Sequence, residues 1–197
     1  MKHTIFILLI LMSVFSANGQ KITFDIIEKD GTRHLGTESL ALKIENGTYD
    51  FSLTAFSNPN SKVYALLISS IWMMKEECIV MLKLGNEETV KLTANNINVG
   101  KIDYPSYTPI IGNTSSSGIM STQKVDYYVS LYTVEKELLN KINQHGIIKL
   151  RISFGNTFFE RSWKKDKLGK HITSSYKKLE EHLQNPHISN KSIEDDF

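Results

Sequence analysis

The sequence predicts a mainly β protein of the α+β class. The expected architecture is an antiparallel β-sandwich or partly open barrel, with one short connecting helix and a C-terminal amphipathic helix packed on it. Three observations predict it. Runs of alternating apolar and polar residues recur along the 197-residue chain, and most close on a Gly, Asn or Asp turn signal. The stretch Val63 to Met74, VYALLISSIWMM, is apolar at nearly every position, as a strand at the centre of a sheet is. Its β-branched and aromatic content favours strand over buried helix. Near the C-terminus, Leu168, Ile172, Tyr176, Leu179 and Leu183 mark one face of an α-helix.

Taken in order, Lys21 to Glu28 places Ile22, Phe24 and Ile26 on one face of a strand, and Asp30-Gly31 turns it. Leu40, Leu42 and Ile44 alternate up to Asn46-Gly47. Tyr49, Phe51, Leu53 and Ala55 alternate after it. Two alternating runs joined by Asn-Gly predict a hairpin, because both turn residues tolerate positive φ. The central strand follows the Ser57–Asn60 loop, and its two apolar faces imply cover on both. Cys78 to Leu84 and Thr89 to Ala94 read as two more strands around Gly85-Asn86, so 63–94 reads as a three-stranded meander.

From Asn95 to Lys124 the pattern fades among Pro105, Pro109 and the glycines, and a long loop is expected there. Val125, Tyr127, Val129 and Leu131 restore alternation. A helix is expected from an N-cap at Thr133, with Val134, Leu138 and Ile142 on one face, and His145-Gly146 ends it. Ile148 to Phe154, Gly155-Asn156 and Phe158 to Trp163 make a last hairpin. Asp166 then caps the C-terminal helix, and Asn185-Pro186 stops it. About nine strands result, closely spaced, as in a sandwich.

Residues 1–19 read as a signal peptide. Lys2 supplies the positive n-region, Ile5 to Phe15 the apolar run, and Ala17-Asn18-Gly19 the cleavage site, so the mature chain starts at Gln20. The run is short for a transmembrane helix and no later stretch matches it. Residues 20–185 form a single β-rich domain, and 186–197 a flexible acidic tail. The expected location is periplasmic or secreted. The lone Cys78 cannot make an internal disulfide and reads as an inert buried residue. A formal net charge of +2 gives no field that would gather nucleic acid.

The run Tyr132 to Ile152, YTVEKELLNKINQHGIIKLRI, and the run Trp163 to Lys170, WKKDKLGK, resemble the C-terminal part of uncharacterised secreted proteins from Bacteroidetes. The resemblance covers about a third of the chain and carries no catalytic motif. It implies export by a Gram-negative cell.

No H-E-x-x-H, G-x-S-x-G, Walker A or G-x-G-x-x-G motif is present, and no cofactor or metal site is expected. Glu76-Glu77 and Glu87-Glu88 fall at strand ends, where neighbours point to opposite faces. Two features rise above this background. Lys164, Lys165, Lys167 and Lys170 belong to a basic run suited to an anionic envelope component, and equally to the solvated face of a helix. Tyr104, Tyr107 and Met120 lie in the 95–124 stretch, where they would meet a glycan or protein partner, or plug the end of the sandwich. The leading expectation is an exported, non-enzymatic binding or cell-envelope-associated module. The alternatives are a secreted hydrolase with its site at strand ends, and a secreted inhibitor or immunity-type protein.

Overall fold

The computed structural model describes residues 20–45, 47–72, 74, 77–110 and 117–185, with the backbone course alone for 106–110 and 117–120. The expected signal peptide and acidic tail lie outside the described residues. Among the described residues eleven strands form two antiparallel sheets, the first curled into a half-barrel.

In the first sheet β1 (Ile22–Ile27) pairs with β2 (Arg33–Thr37), followed across the sheet by β4 (Gly47–Asn58), β5 (Ser61–Ser70), β9 (Ser117–Val134) and β8 (Asn96–Ile110). Strand β3 (Leu40–Ile44) shares with β2 the same edge of β4. The register there steps. Gly36 faces Thr54 and Leu40 faces Phe51, so four residues advance on one strand while three advance on the other. That is a bulge at 37–39. The second sheet is β11 (Thr157–Ser162), β10 (Ile147–Phe154), β6 (Ile79–Leu84) and β7 (Thr89–Thr93). Helix α1 (Lys136–His145) joins β9 to β10, and α2 (Leu168–Gln184) ends the described chain.

The core is one face of the curled sheet against everything else. Leu42, Ile44, Tyr49, Phe51, Leu53, Leu66, Ile68 and Tyr132 point inward and are buried. The second sheet answers with Val80, Leu82, Leu84, Leu150 and Ile152, and the helices with Leu139, Ile142, Leu168, Ile172 and Leu179. Helix α2 lies along the β2 and β4 end. His171 Nε2 reaches the Phe51 carbonyl at 3.1 Å, and the Tyr64 and Tyr176 rings meet edge-on at 5.1 Å.

Several local expectations change. The central strand is β5, paired by β4 on one side and β9 on the other. Its second face is covered only in part: Ala65 is buried and Leu67 half-buried, but Val63 is 41% exposed, because the second sheet and α2 pack on the inner face. The 63–94 meander does not form. Both edges of β5 are already taken, so the chain crosses to the second sheet, where β6 pairs with β10 and β7. The expected 95–124 loop is a long hairpin. Its prolines fall on β8, which has a single neighbour, and an edge strand tolerates a missing donor. Thr133 is not the helix cap; Val134 pairs with Tyr64 and is buried, which holds both residues in β9. The 40–55 hairpin stands, but Ile44 pairs with Gly47, so Gly47 belongs to the strand and not to the turn; the expected turn residue Asn46 lies outside the described residues. Glu45 has φ +48. Gly47 is required for space: a Cβ there would come within 2.8 Å of the Trp72 ring.

Candidate functional site

The β8–β9 hairpin outgrows its sheet. The two strands pair from Asn96 with Leu131 to Ile110 with Ser117, but β5 accompanies β9 only between Tyr128 and Val134. Past Tyr128 each strand has only the other as a neighbour among the described residues. An isolated two-stranded ribbon is marginal in water. This one is braced by charge on one face, where Lys101 Nζ meets Asp126 at 2.9 Å and Lys124 Nζ meets Asp103 at 3.3 Å. The other face carries Ile102 opposite Val125 and Tyr104 opposite Gln123. Val99 is 59% exposed and Tyr104 40%.

Of the candidates named from sequence, Tyr104 stands on this ribbon. Tyr107 and Met120 occupy paired register positions nearer its tip. Lys164, Lys165, Lys167 and Lys170 are all exposed, 60 residues and more along the chain, around the start of α2. Asp166 sits among them and accepts the Gly169 amide at 2.7 Å; it stands one residue ahead of the N-cap position, which is Lys167 and not Asp166 as expected. Arg161 is held apart from the lysines: its guanidinium donates to the Lys43 carbonyl and lies over the Trp163 ring at 5.8 Å. Sequence reasoning missed Val99, Lys101 and Asp103. The signal was present in Ile97 and Val99 at spacing two, but it breaks at Lys101, where the apolar positions shift to Ile102 and Tyr104 on the other face, and the prolines follow.

Two polar clusters sit against α2, one with largely buried side chains around Asp25 and one nearer the surface around Glu180. Asp25 accepts from Arg33 through both oxygens, at 2.8 and 2.6 Å, and meets His182 at 3.0 Å. Burial pushes the Asp25 carboxyl up, but the bonds from Arg33 and His182 outweigh it and hold the group below the usual carboxylate value. Glu180 bridges Lys62 and the Tyr64 hydroxyl. Both clusters tie α2 to strands of the first sheet. Comparison with family models, with curated proteins and with solved structures returns no match. The chemistry of the site therefore rests on its own residues.

Among the described residues no three His, Cys, Asp or Glu side chains are placed to hold a metal ion. Surface grooves are present among the described residues, three of them as follows. One of about 390 Å³ runs along β7 against α1, lined by Val90, Leu92, Leu138, Glu88 and Lys141 among others. One of about 450 Å³ adjoins it beside Lys62 and Glu135, and one of about 200 Å³ crosses Met81 and Arg151. No histidine lines any of the three. Cys78 is buried, its thiol pushed up by burial, and accepts the Tyr132 hydroxyl at 3.0 Å. A desolvated thiol with a raised pKa is a poor nucleophile.

Proposed function

We propose that this is an exported, non-enzymatic binding or cell-envelope-associated module that makes its contact through the β8–β9 hairpin. One observation carries the reading. The ribbon leaves the Tyr128 register with both faces in solvent and keeps apolar side chains exposed along it, Val99 at the Tyr128 pair and Tyr104 beyond it, that the core does not use. Loops and projections on a rigid scaffold are where contact residues concentrate. The sequence of residues 1–19 supports export, and the exposed lysines around the start of α2 suit an anionic envelope component. No described helix is long and apolar enough to cross a membrane.

Localisation is tested by N-terminal sequencing of protein recovered from periplasm or medium, which should start at Gln20. Intact Met1 in a cytoplasmic fraction refutes export. Contact is tested by co-sedimentation with purified cell-envelope fragments. The double change Tyr104→Ala with Tyr107→Ala should abolish sedimentation and leave the melting temperature within a degree or two. Sedimentation unchanged in that variant and in a Lys164, Lys165, Lys167 and Lys170 to Gln variant removes both surfaces from consideration.

A further inference from the structure

We propose that the free edge of β8 docks a second copy of this chain, strand against strand and antiparallel, about a two-fold axis at Ile102. The inference rests on the reading of the hairpin as a contact surface and names its partner. Among the described residues strand β8 ends the first sheet, with β9 on one side and no strand on the other. Such an edge offers a row of main-chain donors and acceptors for strand addition. A proline in an edge strand turns its missing donor outward. Pro105 therefore closes the available edge at one end, and the axis at Ile102 places Val99 of the second copy opposite it. The paired segment is 99–105.

That register is selected by charge. Lys101 and Asp103 project from the same face, two residues apart, bonded within the chain to Asp126 and Lys124. The axis at Ile102 sets Lys101 opposite the second copy's Asp103, and Asp103 opposite its Lys101. Across the four strands one row then reads Asp126, Lys101, the second copy's Asp103 and its Lys124, with signs alternating throughout. Moving the axis to Lys101 or to Asp103 sets like charges face to face, which is destabilising. A lysine on an edge ordinarily deters pairing; the aspartate two residues on converts it into a register mark.

The opposite face fits as well. The axis brings Tyr104 over the second copy's Gly100 and Ile102 against its equivalent. Gly100 is bare: a Cβ there would meet only the Tyr127 carbonyl, at 4.0 Å. Its own cross-strand neighbour Tyr127 turns away to donate to Ser69 Oγ at 2.6 Å. The chain already uses such a pair elsewhere, with the Phe24 ring lying over Gly36 in the adjacent strand. An aromatic ring over a cross-strand glycine restores the packing that glycine forgoes. A two-fold pairing is isologous, so each favourable contact occurs twice.

Sedimentation velocity on the chain lacking residues 1–19 tests this. The wild type should show a concentration-dependent dimer. Lys101→Asp alone and Asp103→Lys alone should each be monomeric, since each opposes like charges. A one-to-one mixture of the two variants should dimerise again, because aspartate at both positions then faces lysine at both. Tyr104→Ala should weaken the wild-type dimer roughly tenfold or more, through two lost ring contacts. A wild type monomeric at all concentrations, variants that dimerise as well as wild type, or a mixture that stays monomeric overturns the proposal. A monomeric wild type that still sediments with envelope fragments in a Tyr104-dependent way sinks the dimer and leaves the binding reading. A dimer that ignores envelope fragments does the reverse.

Discussion

The Thr37 hydroxyl donates to the Leu53 carbonyl at 3.0 Å and accepts the Leu53 amide at 3.2 Å. The bulge between β2 and β3 would otherwise leave both main-chain groups of a buried residue without partners. Thr37→Val keeps the shape and removes both bonds, so it should cost about 1–3 kcal/mol in denaturant unfolding. A change under about 0.5 kcal/mol would mean that the backbone finds other partners. Titration acts at the same scale. Burial pushes the His171 pKa below the ordinary 6.5, with the Phe51 carbonyl opposing. The unfolded chain thus binds this proton more readily. The stabilisation is complete above about pH 6.5 and is lost as pH falls through the depressed folded value. Asp25 acts in the same sense at lower pH, since its carboxyl is held below 3.8 in the fold. His171→Gln should flatten the decline of melting temperature between neutral and mildly acidic pH, and an unaltered slope would assign that decline to other groups. None of these roles was legible in sequence. Thr37 reads as one more polar position, and His171 as one more histidine, until folding sets Leu53 and Phe51 beside them.

Helix α2 shows what an element reveals in advance. Its stripe was readable because five apolar residues recur at helical spacing, and Leu168, Ile172 and Leu179 are buried as that spacing implies. Leu179→Ala should destabilise by roughly 2–4 kcal/mol. Lys178, paired only with Glu181 at the surface, should cost less than about 0.5 kcal/mol on replacement by Ala. Equal losses at the two positions would refute the amphipathic packing. Asp166→Ala removes the acceptor of the Gly169 amide and should cost about 1 kcal/mol. The hairpins around Asp30-Gly31, Gly85-Asn86 and Gly155-Asn156 were equally legible, because turn and alternation agree there. Strand β8 was not, since Pro105 and Pro109 deny the pattern that Ile97, Val99 and Ile102 begin. Nor was the crossing from β5 to β6. Local pattern marks strands, but which edge remains free for pairing depends on residues distant in sequence, here β9.

At the scale of the molecule, one curled sheet is supported along part of its length and unsupported along the rest. Amide exchange should follow that division. The β5 amides lie between two strands and under the core, and they should open only with global unfolding. The β8–β9 amides beyond Tyr128 should exchange orders of magnitude faster. Protection there equal to that of β5, in a sample shown to be monomeric, would mean that the ribbon is not a projection at all. The bulge at 37–39 has a consequence for how this chain tolerates changes in length. Leu35 points inward from an odd position, Leu42 and Ile44 from even ones, and the extra residue between them reconciles the two. The strand thus has a parity. Removing Ser39 takes out the extra residue and should leave Leu35, Leu42 and Ile44 on one face of an unbroken strand. Removing two residues there should instead turn either Leu35 or the Leu42 and Ile44 pair toward water. Deletion of Ser39 alone should therefore keep a cooperative unfolding transition, and deletion of Glu38 with Ser39 should abolish it.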